Sequence, residues 1–285
     1  MASGTDAWLA LATLGGAAAI YARGWWALSR RTSRRFGVGR LAAFLGGLAV
    51  IAIALASPLD TLAGRLLSAH MVQHQLLMML APPLLWLGAP VAPMLLGLPR
   101  PIRRLVAVAL ASRFPRLSGH IQQPAVGWVS FALAFWTWHA APLYELALGS
   151  HAWHHVEHAC FFGSAMLFWW PVILPWPARS AWPRWTMIPY LLLADLQNTI
   201  LAAMLTLSDR LVYPAYATVG VGNVSALDDQ AIAGLIMWIP GSLIFLVAAT
   251  WLAVEALNGT RDVRDMAPHP LAKLFARAGE AARRG

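Results

Sequence analysis

The sequence predicts an all-α membrane protein: a polytopic bundle of seven transmembrane helices, with the N-terminus outside and the C-terminus cytoplasmic. Three observations predict it. The 285 residues are 59% hydrophobic and only 12% charged, with mean hydropathy +0.59. A soluble domain carries about 25% charged residues, and so apolar a chain could not cover a soluble surface. The apolar residues also gather into seven segments, each near or above the roughly 20 residues that one crossing needs. Finally, Lys and Arg alternate in abundance from one inter-segment loop to the next.

The first segment, 6–22, contains no Lys or Arg, so it lacks the positive region of a signal peptide and is expected to remain as a helix. Arg23, Arg30, Arg31, Arg34, Arg35 and Arg40 then separate it from the second segment, 40–57. The third, 66–98, is too long for one straight crossing. Its prolines, Pro82, Pro83, Pro90 and Pro93, are expected to end the helix near Leu80 and leave a kinked or broken continuation. Arg100, Arg103, Arg104, Arg113 and Arg116 follow. In the fourth segment, 125–148, Pro142 is expected to end the crossing near Ala140 and begin a short interfacial turn. The fifth, 151–174, is rich in histidine at its start. The sixth and seventh lie at 185–207 and 231–256, with Asp228 and Asp229 expected to cap the seventh. A basic tail, 258–285, completes a two-part organisation beside the membrane domain, 1–257. Its stretch around Lys273–Arg284 suits an anionic lipid surface.

Under strict alternation, 19 of the 21 basic residues fall on one side, and only Arg65 and Arg210 on the other. The positive-inside rule makes the rich side cytoplasmic. The formal charge of +9 is thereby accounted for without nucleic acid, and no stripe of aromatic and basic residues suggests such a partner. Cys160 is the single cysteine, which excludes an intrachain disulfide and a paired-thiol metal site. Lys273, the single lysine, lies in the tail, which excludes a retinal Schiff base. Most of the clustered tryptophans fall at helix ends and read as an interfacial belt.

Ionisable residues inside a membrane mark functional sites by default. Of nine histidines, seven belong to the outer half: His70, His74, His139, His151, His154, His155 and His158. His70 and His74 are four apart and share a helix face, roughly 6 and 12 Å below its outer end. His154 and His158 form a second such pair, flanked within about 100° by His151 and His155. His139 reaches the same depth from the fourth helix. Imidazole pairs at this spacing offer two nitrogen ligands to a metal. Imidazole suits Zn, Cu, Fe and Ni, and added thioether favours Cu(I), which brings in Met78 and Met237 as possible ligands. Glu157 could orient an imidazole from behind. Asp195, near the middle of the sixth helix, is costly enough there to require a specific partner. Cys160 points away from the histidine face. His154-x-x-Glu157-His158 matches an inverted zinc-protease pattern, but a five-residue match inside a histidine-rich run is weak and no third ligand accompanies it. Bis-histidine haem ligation is the sharper alternative, with a metal transporter and a scaffold with structural histidines behind it.

Several blocks in order along the chain resemble the CtaG-type assembly factors of caa(3)-type cytochrome c oxidases. They are His70-Met71-Val72-Gln73-His74 with Ala81-Pro82-Pro83-Leu84-Leu85 and Leu87-Gly88-Ala89-Pro90, then Trp138-His139-Ala140-Ala141-Pro142 with Tyr144. After these come His154-x-x-Glu157-His158 with Phe168-Trp169-Trp170-Pro171, and Asp229-Gln230 leading to Ile236-Met237-Trp238-Ile239-Pro240-Gly241. The resemblance implies a bacterial inner-membrane protein that is not an enzyme. It would act in copper supply to a haem–copper oxidase, with oxidase subunits as partners. It marks His70, His74, His139, His154, Glu157 and His158. His151 and His155 are additions from helix geometry.

Overall fold

The computed structural model describes residues 4–32, 34–109, 123–178, 180, 182–217 and 224–258. The described residues build an all-helical bundle without strands. Each of the seven apolar segments is helical. The first two are α1 (Gly4–Ser29) and α2 (Val38–Ala56). Short α3 (Pro58–Ala63) leads to α4 (Leu67–Gln75), a π-turn (Leu76–Leu80), α5 (Ala81–Leu87) and α6 (Val91–Gly97). The fourth segment is α7 (Pro124–His139) and α8 (Ala141–Gly149). The last three are α9 (His151–Ile173), α10 (Met187–Leu207) and α11 (Ala226–Leu257). Residues 110–122 and the tail from 259 onward, with His120, His269 and the Lys273–Arg284 stretch, lie outside the described residues.

Among the described residues, four helices are long and apolar enough to cross a membrane: α2, α9, α10 with its leading turn, and α11. The run from Leu67 to Gly97 makes a fifth if its two arms, bent by 70°, count as one span. Helix α1 carries Asp6 and Arg23, and the 16 residues of α7 reach only about 24 Å.

Pro82 and Pro83 do not end the third helix near Leu80 as expected. They occupy the first turn of α5, where a missing N–H costs least. The wider π-turn before them absorbs the change of register. Pro82 cannot donate to the carbonyl of Met78, and the indole of Trp169 donates to it instead at 2.9 Å. The sharp bend comes later, at Gly88-Ala89-Pro90. Ala89 there adopts φ 47°, a left-handed conformation unusual for a residue with a Cβ. Tyr21 locks this corner by donating to the carbonyl of Gly88 at 2.7 Å and stacking on Phe44 at 3.8 Å. At Pro142 the crossing does end, at His139, but a nine-residue helix follows rather than a turn.

Two apolar cores result. The larger joins α4 to α7–α11 through Phe131, Phe135, Phe168, Trp169 and Phe245. The smaller seats α1 and α2 on α5 through Tyr21, Phe44 and Leu85. Where α1 crosses α6 the backbones touch: a Cβ on Gly97 would stand 1.8 Å from the carbonyl oxygen of Ile20.

One end of the bundle gathers a consistent set of helix ends. His151 at the start of α9 meets Asp6 at the start of α1. Gln73 of α4 donates to Ala54 near the end of α2 at 2.7 Å. Asp229 at the start of α11 accepts from Leu67 N at 2.6 Å at the start of α4. Gln230 donates to Leu205 near the end of α10. His139 closes α7 at the same end.

Candidate metal centre

The start of α4 is held from outside its own sequence. Asp229 accepts from the backbone N–H of Leu67 and, at 3.3 Å, of Ser68, and also from the Ser68 hydroxyl. Its carboxylate satisfies donors that the first turn of α4 would otherwise leave orphaned. This corrects the expected cap on α11. That role falls to Ser225, whose hydroxyl accepts from Asp228 N at 3.1 Å. Gln230 ties down the next loop, accepting from Val212 N at 2.7 Å and donating to Arg210 O at 3.0 Å. Gln73 points away from the histidines, donating to Ala54 O and to Asp60 Oδ1 at 3.0 Å. These polar side chains fix the rotation of α4 and so the aim of His70 and His74.

The imidazoles of three helices meet at this end. His70 Nε2 lies 2.9 Å from His74 Nε2. Ring centroids separate His70 from His154 by 5.3 Å and from His158 by 6.4 Å, while His154 and His158 stand 4.2 Å apart. His74 is 5.6 Å from His158 and 6.1 Å from His139. Glu157 enters between the two pairs: its Oε2 is 3.6 Å from His70 Nε2 and 3.8 Å from His74 Nε2. His70, His154, Glu157 and His158 each present one ligand atom, all within 4.8 Å of one another. Glu157 therefore stands among the ligand atoms rather than behind them.

Hydrogen bonds set the tautomers. His139 Nδ1 lies 2.7 Å from the carbonyl of Phe135, so it carries the proton and leaves Nε2 with a lone pair. Tyr216 donates to the carbonyl of Ala63 at 2.9 Å, which leaves its oxygen to accept from His70 Nδ1 at 3.2 Å. His70 Nε2 then carries the lone pair that accepts from His74 Nε2 on the side facing the cluster. Burial pushes the Tyr216 hydroxyl above its ordinary range, so it stays neutral in this role. Tyr144 completes the wall, 3.2 Å from the Tyr216 hydroxyl and stacked on Tyr213 at 4.0 Å. Tyr213 in turn donates to His139 O at 2.8 Å.

The cluster is polar, buried and unsatisfied. Glu157 is fully buried, and among the described residues neither of its oxygens has a hydrogen-bond donor. Nε2 of His139, His154 and His158 and Nδ1 of His74 are likewise buried without hydrogen-bond partners among the described residues. A carboxylate in such a place costs several kcal/mol unless a cation meets it. The ligand atoms of His70, His154, Glu157 and His158 stand close enough together for one metal ion to meet them.

The remaining sequence candidates lie elsewhere. Met78 and Met237 are buried in the main core, and the Met237 carbonyl accepts from Asn198 at 2.9 Å. Asp195 lies midway along α10, where its Oδ1 is buried without a hydrogen bond among the described residues. Cys160 is exposed. His151 and His155 stand outside the buried group, joined with Asp6. Sequence reasoning gave no role to Tyr144, Tyr213 and Tyr216. Two signals were there: Tyr144 stands in one of the blocks that carry the resemblance, and the chain has only five tyrosines, three of which are here.

Fold and site together define a helical bundle of membrane type with a buried imidazole–carboxylate cluster at one end. The chain belongs to the cytochrome c oxidase caa3 assembly factor family, Caa3_CtaG, whose model matches residues 19–258. Among curated proteins it is 27% identical over 265 residues to the uncharacterized proteins Mb0105 of Mycobacterium bovis and MT0111 of Mycobacterium tuberculosis. Those matches cover 86% of this chain and 38% of each relative. The uncharacterized protein ML1998 of Mycobacterium leprae is 25% identical over 244 residues, covering 79% of this chain and 35% of its own. The chain thus spans little more than a third of the length of the relatives it matches. No solved structure matches it.

Proposed function

We propose that this protein receives a copper ion in the His70–His154–Glu157–His158 cluster and supplies it to a subunit of a cytochrome c oxidase during assembly. In this reading it is a multi-pass protein of the bacterial inner membrane. It crosses seven times with its N-terminus outside, and the cluster opens toward the outer face. The chemistry is ligand exchange without turnover. The observation that carries the proposal is the buried, unbonded Glu157 carboxylate facing imidazole nitrogens with free lone pairs. Family membership supplies the oxidase as the destination. His74 and His139, beside the four-ligand group, suit transient ligands during transfer.

An ion fits this geometry better than a haem. The imidazole rings pack on one another and on Phe161, 4.6 Å from His74, which leaves no flat slot for a macrocycle. Ligating imidazoles must be unprotonated, so copper affinity should fall as pH is lowered. Elemental and haem analysis of protein purified in mild detergent tests the reading. Bound copper without a Soret band is expected, together with its loss in the His70→Ala, His158→Ala variant and a parallel loss of oxidase activity in cells. Copper-free wild-type protein, or undiminished oxidase in the variant, would refute it.

A further inference from the structure

A second group of metal-type ligands lies at the exposed rim beside the buried cluster. Asp6, His151 and His155 each offer one ligand atom, and these atoms all lie within 4.8 Å of one another. His151 Nε2 is 3.7 Å from Asp6 Oδ2, and the two imidazole rings are 4.6 Å apart. We propose that these three residues form a separate, exchange-competent site for a divalent ion such as Cu2+ or Zn2+. Its role as the loading station for the buried cluster rests on the copper reading above; its existence as a site does not.

The donor set is two imidazoles and a carboxylate with no sulfur, which suits Cu2+ or Zn2+ rather than Cu(I). Three protein ligands leave a coordination position open, as sites that exchange their ligand require. The first turn of α9 is the positive end of that helix, which disfavours a cation. The Asp6 carboxylate, brought from the first turn of α1, offsets that field. A structural role alone gives little reason for the arrangement, because an exposed ion pair contributes at most about 1 kcal/mol. The two histidine pairs interleave along α9, with His155 next to His154. Burial deepens step by step: His151 and His155 are exposed, His154 is half-buried and His158 is buried. An ion could pass inward by exchanging one imidazole at a time.

The test titrates Cu2+ into the full-length protein in mild detergent and counts bound ions after gel filtration. Four proteins are compared: wild type, the outer variant His151→Gln, His155→Gln, the inner variant His70→Gln, His158→Gln, and the combination. Two ions in wild type, one in each variant and none in the combination are expected. One ion in wild type, lost only in the inner variant, overturns the outer site and leaves the buried one standing. One ion lost only in the outer variant supports the outer site while the buried site fails. No bound ion overturns both. Asp6→Asn separates a built site from adventitious binding to a surface histidine pair. It should weaken the outer ion by no less than the roughly tenfold that losing even an outer partner of a ligand costs. Unchanged affinity there overturns the three-ligand site.

Discussion

Glu157 decides the charge of the buried cluster. It is the one carboxylate in the four-ligand group, it has no hydrogen bond among the described residues, and each nearby imidazole is neutral when it presents a lone pair. Glu157→Gln preserves shape and removes the charge. Copper affinity should fall by roughly 10- to 100-fold or more, with helical content unchanged. An unaltered dissociation constant would show that the carboxylate is not a ligand. Tyr216→Phe probes a subtler effect. It removes the hydroxyl that holds the proton on His70 Nδ1, so affinity should drop about tenfold while the number of bound ions stays the same. The two cases also separate what could be read in the sequence from what could not. The histidine pairs declared themselves through spacing, since i and i+4 share a helix face whatever the tertiary fold. Glu157 was visible as a candidate but not in its position, because a place among the ligands rather than behind them depends on the facing helix. Tyr216 comes from a loop 146 residues away from His70, and no periodicity connects them.

At the scale of elements, α4 is aimed by bonds from its neighbours, and the Asp229 cap is the strongest of them. Losing a side-chain cap costs about 1–2 kcal/mol. Asp229→Ala should lower the thermal midpoint in detergent by that equivalent and reduce bound copper, because the first turn of α4 carries His70. Asp228→Ala, which removes a carboxylate that accepts from Ser225 at the exposed start of α11, should leave copper binding intact. Equal losses in the two variants would contradict the assignment of the cap to α4. An acidic pair before an apolar run looks like a local cap. That Asp229 serves another helix follows from the packing of α11 on α4, which no local pattern encodes. The prolines teach the same lesson in reverse. Pro82 and Pro83 signal a helix break, yet the preceding π-turn and the indole of Trp169 supply what the missing N–H groups remove. A bond contributed from 91 residues away overrides the local preference.

For the whole molecule, we propose that the histidine end faces outward: charge gives the direction and packing the grouping of the helix ends. Charge places 19 of 21 basic residues on alternate loops. Packing places the start of α1, the end of α2, the start of α4, the end of α7, the start of α9, the end of α10 and the start of α11 at the histidine end, linked by side-chain bonds. That alternation is the one seven crossings would produce, even though α1 and α7 are marginal by length or apolarity. The histidine end therefore belongs opposite the arginine-rich loops. Single cysteines test it in a Cys160→Ala background, needed because Cys160 is exposed. Thr61, between α2 and α4, lies on the histidine side, and Thr32, after α1, on the arginine side; both are exposed. In intact spheroplasts a membrane-impermeant thiol reagent should label Thr61→Cys and spare Thr32→Cys until the membrane is permeabilised. Labelling of both before permeabilisation would break the alternation. Labelling of Thr32→Cys alone would turn the cluster toward the cytoplasm, against the outward opening proposed above.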